Sequence, residues 1–66
     1  MAIRNKIRDF RNQTGLTQEE LAAKADVSRQ TINAVENEKY SPSLALALRL
    51  GEIFDKPVEE LFERSE

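Results

Sequence analysis

The sequence predicts an all-α fold, a compact five-helix bundle forming a single domain over residues 1–66. Three observations carry this expectation. Apolar residues recur at helical spacing in successive segments, good N-cap residues stand at Thr17, Ser28 and Ser43, and the breaks between segments are short. A chain of 66 residues lies near the lower limit for folding alone, where about 60% of the unfolded surface is buried. One core is the most it can hold.

Ile3, Ile7 and Phe10 form one stripe of a first helix, which Gly15 ends. Arg4, Arg8 and Arg11 share a flanking face, with Arg11 nearest the stripe. A second helix opens at Thr17-Gln18-Glu19-Glu20, where Thr17 and Glu20 match a capping box, and buries Leu21, Ala22 and Ala25. After the short break Asp26-Val27, Ser28 caps a third helix running to about Asn37. The turn formers Ser41 and Pro42 follow, and Ser43 caps a fourth helix to about Phe54. Its apolar residues Leu44, Leu46, Ala47, Leu48, Leu50, Ile53 and Phe54 cover most of the circumference, so it is expected to be the buried central post. Gly51 within it suggests a close helix–helix approach. Pro57 followed by Val58, Leu61 and Phe62 predicts a short fifth helix.

Cysteine and histidine are both absent, which removes disulfides, the usual zinc ligands and the commonest general base. No metal, cofactor or small-molecule ligand is expected. The paired carboxylates Glu19/Glu20 and Glu59/Glu60 do not suggest an enzyme, because helical neighbours point about 100° apart and cannot converge on one substrate atom. The longest apolar run, Leu44 to Leu48, is far short of the roughly 20 residues of a membrane span, and no apolar segment follows the N-terminal charges. A cytoplasmic protein without a membrane partner is expected.

The net charge is −2, but it is unevenly spread. Residues 1–40 carry seven Lys/Arg against six Asp/Glu, whereas residues 41–66 carry three against six. Any face that meets a polyanion therefore belongs to the first forty residues. The acidic tail from Glu52 onward is either a solvated surface or a counter-charge that orients the basic side.

On a wheel of the third helix starting at Arg29, Asn33 lies about 40° away, Asn37 about 80°, Gln30 about 100° and Ala34 about 140°, with Ile32 and Val35 opposite. Arginine can pair with guanine O6/N7, glutamine and asparagine with adenine N6/N7, and a small alanine lets a helix lie deep against a thymine methyl. A solvated face would more often carry Glu and Lys. These side chains have the chemistry of base reading in a DNA major groove.

Leu16-Thr17-Gln18-Glu19-Glu20-Leu21-Ala22, then Val27-Ser28-Arg29-Gln30-Thr31-Ile32-Asn33 and Glu36-Asn37, resemble the Cro/CI-type, or XRE-family, helix-turn-helix proteins. The likeness continues through Pro42-Ser43-Leu44 and Glu59-Glu60-Leu61-Phe62, covering essentially the whole chain. It implies a lambda-repressor-like DNA-binding domain, with the helix-turn-helix at about 17–37 and the recognition helix at about 28–37. Arg29, Gln30 and Asn33 match the family's base-contacting positions. Gln18, Ser28, Thr31, Asn37 and Lys39 match positions that meet the phosphate backbone, with Gln18 also suited to brace the recognition helix. Tyr40 either reaches the strand or packs on the bundle. Arg11 and Glu36 resemble the family's structural ion pair between the first helix and the end of the third.

The resemblance further implies a transcriptional regulator, by default a repressor, that binds a pseudo-palindromic site on double-stranded DNA as a homodimer. Val58, Leu61 and Phe62 are the expected dimer contacts. The alternative is a protein-interaction module on the same fold, such as an antitoxin or adaptor, but an idle third helix has no need of Arg, Gln and Asn together. Two positions depart from the family, which often has glycine where Asp26 and Glu38 stand. Asp tolerates a left-handed backbone well. Glu38 places a negative charge where the loop should approach phosphate.

Overall fold

The computed structural model describes residues 2–65. In chain order these form β1 (Ala2–Asn5), α1 (Ile7–Gln13), α2 (Gln18–Ala25), α3 (Arg29–Glu36), α4 (Leu44–Phe54), α5 (Val58–Leu61) and β2 (Phe62–Ser65). Five helices are present, as expected, but the fold is not all-α. Strands β1 and β2 pair antiparallel, with Ala2 opposite Ser65, Ile3 opposite Arg64, Arg4 opposite Glu63 and Asn5 opposite Phe62.

The strands correct two expectations. The first helix begins at Ile7, so Ile3 and Arg4 lie outside it, and Phe62 belongs to a strand instead of the fifth helix. The Asn5 side chain makes the break: its Oδ1 accepts from Ile7 N at 3.1 Å, while Lys6 N donates to Leu61 O at 2.9 Å. Opposed residues of an antiparallel pair share a face. Ile3, Asn5 and Phe62 are accordingly half-buried together, while Arg4 and Glu63 are exposed on the other side.

The helices start as their capping residues dictate. Thr17 and Glu20 form a complete capping box, Ser28 accepts from Thr31 N, and Ser43 accepts from Leu46 N. They also stop alike. Helices α1 to α4 are each followed by a residue of positive φ, namely Gly15, Asp26, Glu38 and Asp55. Each end carries a paired closing bond of the Schellman type, as in Asp26 N to Ala23 O and Val27 N to Ala22 O across the α2–α3 turn. The two departures from glycine, Asp26 and Glu38, thus both sit at φ 60°.

Ile7, Leu21, Ala22, Ala25, Ile32, Val35, Leu46, Leu50, Phe54 and Leu61 form the buried core. Helix α4 supplies three of these but is not buried all round. Leu44 is 73% exposed and Leu48, one turn on, is 51% exposed. Among the described residues no element lies over that side. Gly51 meets the chain differently from the expected helix–helix approach: a Cβ there would lie 2.9 Å from the Lys56 carbonyl oxygen, in the turn that ends α4. Leu61, an expected dimer contact, is fully enclosed in its own chain's core, because the single turn of α5 directs it inward.

Candidate nucleic-acid interface

Helix α3 divides into two faces. Ile32, Val35 and Glu36 are buried, whereas Arg29, Gln30, Asn33 and Asn37 are exposed, with Thr31 and Ala34 half-buried between them. The Ser28 cap places the Arg29 and Gln30 side chains on the first turn. Arg29 also lines an open depression with Arg11, Leu16, Thr17, Gln18 and Glu19, so the amino ends of α2 and α3 open to one side of the molecule.

Beneath this surface lies one buried carboxylate. Glu36 has a side chain with 0% exposure, and both its carboxylate oxygens are hydrogen-bonded. Arg11 Nε donates to its Oε2 at 2.6 Å and Arg11 Nη2 to its Oε1 at 3.3 Å, while Arg11 Nη1 donates to Leu16 O at 3.0 Å. Gln18 Nε2 donates to Oε1 at 3.0 Å, and Arg8 Nε reaches the same oxygen at 3.4 Å. Burial pushes the Glu36 carboxyl up, but the bonds from Arg11 and Gln18 and the charge of Arg11, with help from Arg8, outweigh it, so its pKa is lowered. The carboxylate fastens α1 and α2 to the last turn of α3. Such a charge with no partner would be strongly destabilising.

The expected pair of Arg11 and Glu36 is therefore in contact, and Gln18 braces Glu36 with one amide hydrogen while keeping the other. The Ser28 and Thr31 hydroxyls lie 2.9 Å apart and share one proton, which leaves the second for an outside acceptor. Lys39 is exposed beyond α3. Asn37 differs: its Oδ1 accepts from Arg8 Nη2 at 2.8 Å and its Nδ2 donates to Asn33 Oδ1 and Asn33 O, at 3.2 and 3.0 Å. Its side chain is committed within the domain.

Arg8 and Asn5 are the participants that sequence reasoning missed. Arg8 stands three residues before Arg11 on the same helix face, so whatever Arg11 pairs with is also within reach of Arg8. That spacing was the available signal. Asn5 carried none, since its partners are remote in sequence: Asn5 Nδ2 donates to Val35 O at 2.7 Å, and Asn5 N donates to Glu38 Oε2 at 3.2 Å. The second bond also accounts for Glu38, whose carboxylate turns toward β1. Tyr40 is 47% exposed and lines a depression with Ile3, Pro42 and Phe62.

Two capped helices across a left-handed aspartate turn, the second showing arginine, glutamine and asparagine to solvent, define a helix-turn-helix DNA-binding domain. The helix-turn-helix family profile matches residues 7–61. An uncharacterized HTH-type transcriptional regulator of Archaeoglobus fulgidus is 48% identical over 60 residues, 91% of this chain and 86% of that protein. Another from Methanocaldococcus jannaschii is 47% identical, covering 91% of each chain, and YgzD of Bacillus subtilis is 38% identical, again covering 91% of each. A crystal structure of a Bacteroides fragilis protein superposes with a TM-score of 0.82 at 23% identity, covering 92% of this chain and 98% of that one, which shows the shared fold. The chain belongs to the XRE-type helix-turn-helix family of DNA-binding transcriptional regulators. These are not enzymes. Among the described residues no helix is long and apolar enough to cross a membrane.

Proposed function

We propose that this protein is a cytoplasmic repressor that binds a pseudo-palindromic operator as a homodimer, with α3 of each copy in the major groove. The observation that carries the reading is the solvent face of α3, where Arg29, Gln30 and Asn33 are exposed side by side over a buried, fully bonded Glu36. In this reading the three side chains meet base edges. Gln18, Ser28, Thr31 and Lys39 hold phosphates through the donors they retain. Repression would follow from occupancy, since a domain seated on an operator can block polymerase by itself.

One recognition helix reads too few base pairs to be selective, and two copies related by a two-fold axis place their helices about 34 Å apart. The surface suited to the second copy is the outer side of α4, where Leu44 and Leu48 stay exposed and Leu48 borders an open groove with Gly51, Pro57 and half-buried Val58. Self-association there covers apolar surface that the single chain leaves in water. Val58 would belong to this interface, while Phe62, at the start of β2, packs half-buried against the core of its own chain.

Selection of bound duplexes from a random pool tests the reading in one step. The expected result is a two-fold symmetric consensus with half-sites one helical turn apart. Recovery of duplexes with no common sequence would show that α3 does not read bases.

A further inference from the structure

Arg8 stands where α1 meets the last turn of α3 and is held at two points. Its Nε lies 3.4 Å from Oε1 of the buried Glu36, and its Nη2 donates to Asn37 Oδ1 at 2.8 Å. The charges at this junction do not balance. Glu36 carries one negative charge, and Arg11 closes on both its oxygens, at 2.6 and 3.3 Å, with a side chain only 14% exposed. Arg11 and Glu36 thus neutralise each other inside the domain. The charge of Arg8, whose side chain is 53% exposed, is left in excess at the surface. So are its donors. A guanidinium carries more N–H groups than these two contacts use, and among the described residues Arg8 Nη1 makes no hydrogen bond.

Two neighbours fix where this surplus charge lies. Asn37 Nδ2 donates to Asn33 Oδ1 at 3.2 Å, so the residue that Arg8 grips borders the exposed face of α3. On its other side Gln18 Nε2 donates, at 3.0 Å, to the same Glu36 oxygen that Arg8 reaches. One shared acceptor separates the two head groups. Asn37 has no donor to add here, because both hydrogens of its amide go to Asn33, one to Oδ1 and one to the backbone oxygen.

We infer that Arg8 is a DNA-binding residue, pairing with a backbone phosphate beside the seat proposed for Gln18. The inference rests on the reading that places α3 in the major groove. A guanidinium matches the geometry of a phosphate, and the free hydrogens on Nη1 and Nη2 can meet two of its oxygens. Glu36 and Asn37 already hold the side chain in place, so little freedom is lost when DNA arrives. Every base pair offers the same phosphate, so the contact adds affinity and no sequence preference.

The test compares wild type with Arg8→Gln and Arg8→Lys in binding isotherms on the selected duplex and a scrambled one over a range of salt. Arg8→Gln is expected to weaken both duplexes alike and to reduce the slope of log K against log salt by about 0.9 for each copy bound. Arg8→Lys, which keeps the charge, should retain the wild-type slope. Duplexes carrying one neutral methylphosphonate at a time locate the contact: wild type should lose affinity at a position where Arg8→Gln loses none. A residue that only braced Glu36 and Asn37 would leave both the slope and this profile unchanged. Thermal unfolding establishes that the variants are folded; should Arg8→Gln not fold, Arg8→Ala takes its place in both measurements. An unchanged slope, or one methylphosphonate profile shared by wild type and variant, overturns the inference alone, since the wild type still binds its selected site. A wild-type protein that selects no site overturns the placement of α3 and the inference with it.

Discussion

Arg11 presents all three guanidinium nitrogens inside the domain: Nε and Nη2 close on the two oxygens of Glu36, at 2.6 and 3.3 Å, and Nη1 caps the Leu16 carbonyl at 3.0 Å. The contact joins α1 to the last turn of α3 across the carboxyl group that has no solvent exposure. Arg11→Ala should therefore destabilise by about 3–5 kcal/mol, since it strands a buried charge. Urea unfolding gives the value. A loss under about 1 kcal/mol would mean that Gln18 and Arg8 suffice to hold Glu36.

Acid should act on the same carboxylate. The Glu36 pKa is lowered on folding, so its stabilisation is complete above the ordinary glutamate value near 4.3 and is lost as pH falls through the folded value. Glu20, lowered by its backbone and side-chain bonds to Thr17, acts in the same direction. Urea midpoints measured downward from neutral pH should drop below about pH 4. Glu36→Gln, which has no carboxyl to titrate, should flatten that slope.

The proposed DNA contacts divide into base-reading and phosphate-holding residues. Arg29→Ala and Gln30→Ala should each weaken the selected site by about 1–3 kcal/mol and relax one base pair. Lys39→Ala should weaken all duplexes alike and reduce the salt slope by about 1. Binding isotherms on selected and scrambled duplexes over a range of salt distinguish the two. Equal losses on both duplexes for Arg29→Ala would remove it from base reading.

Asp26 adopts a left-handed conformation at φ 60° in the turn between α2 and α3. Asp26→Gly should stabilise by about 0.5–1 kcal/mol, because glycine meets no side-chain penalty there. The measurement is a rise in Tm. Glu38→Gly relieves the same backbone conformation but removes the bond to Asn5 N, so its gain should be smaller.

If the proposed dimer forms through α4, Leu48→Glu should leave a monomer by light scattering and change the thermal unfolding of the monomer by no more than about 0.5 kcal/mol, as for other exposed positions. Leu48 is 51% exposed, so its change touches assembly before it touches the core. A wild-type protein that is monomeric with and without its selected duplex would remove the dimer from the proposal.

Much of this was legible in the sequence because the signals were local. Thr17, Ser28 and Ser43 cap the helices they precede, and the polar face of α3 follows from angular spacing alone. The strands were not legible: four residues at each end give no period long enough to read, and Ile3 and Phe62 fit a helical stripe equally well. The outer face of α4 was misread for a different reason. Apolar residues all round a helix imply burial only where other elements pack on every side, and among the described residues none covers Leu44 and Leu48. Arg8 and Asn5 depend on partners some thirty positions away, which no local pattern encodes.

The pairing of β1 with β2 sets Ala2 beside Ser65 in adjacent antiparallel positions. Neighbouring strands run about 4.8 Å apart, a gap that a two-residue Asn-Gly connection can bridge as a hairpin. The backbone is thus one short link from a closed ring. A circular permutant joined there and reopened in the exposed segment around Glu38 to Ser41 would keep every helix whole while moving its new ends beside the recognition helix. Chain continuing outward past Ala2 and past Ser65, by contrast, departs from neighbouring points at one edge of the sheet.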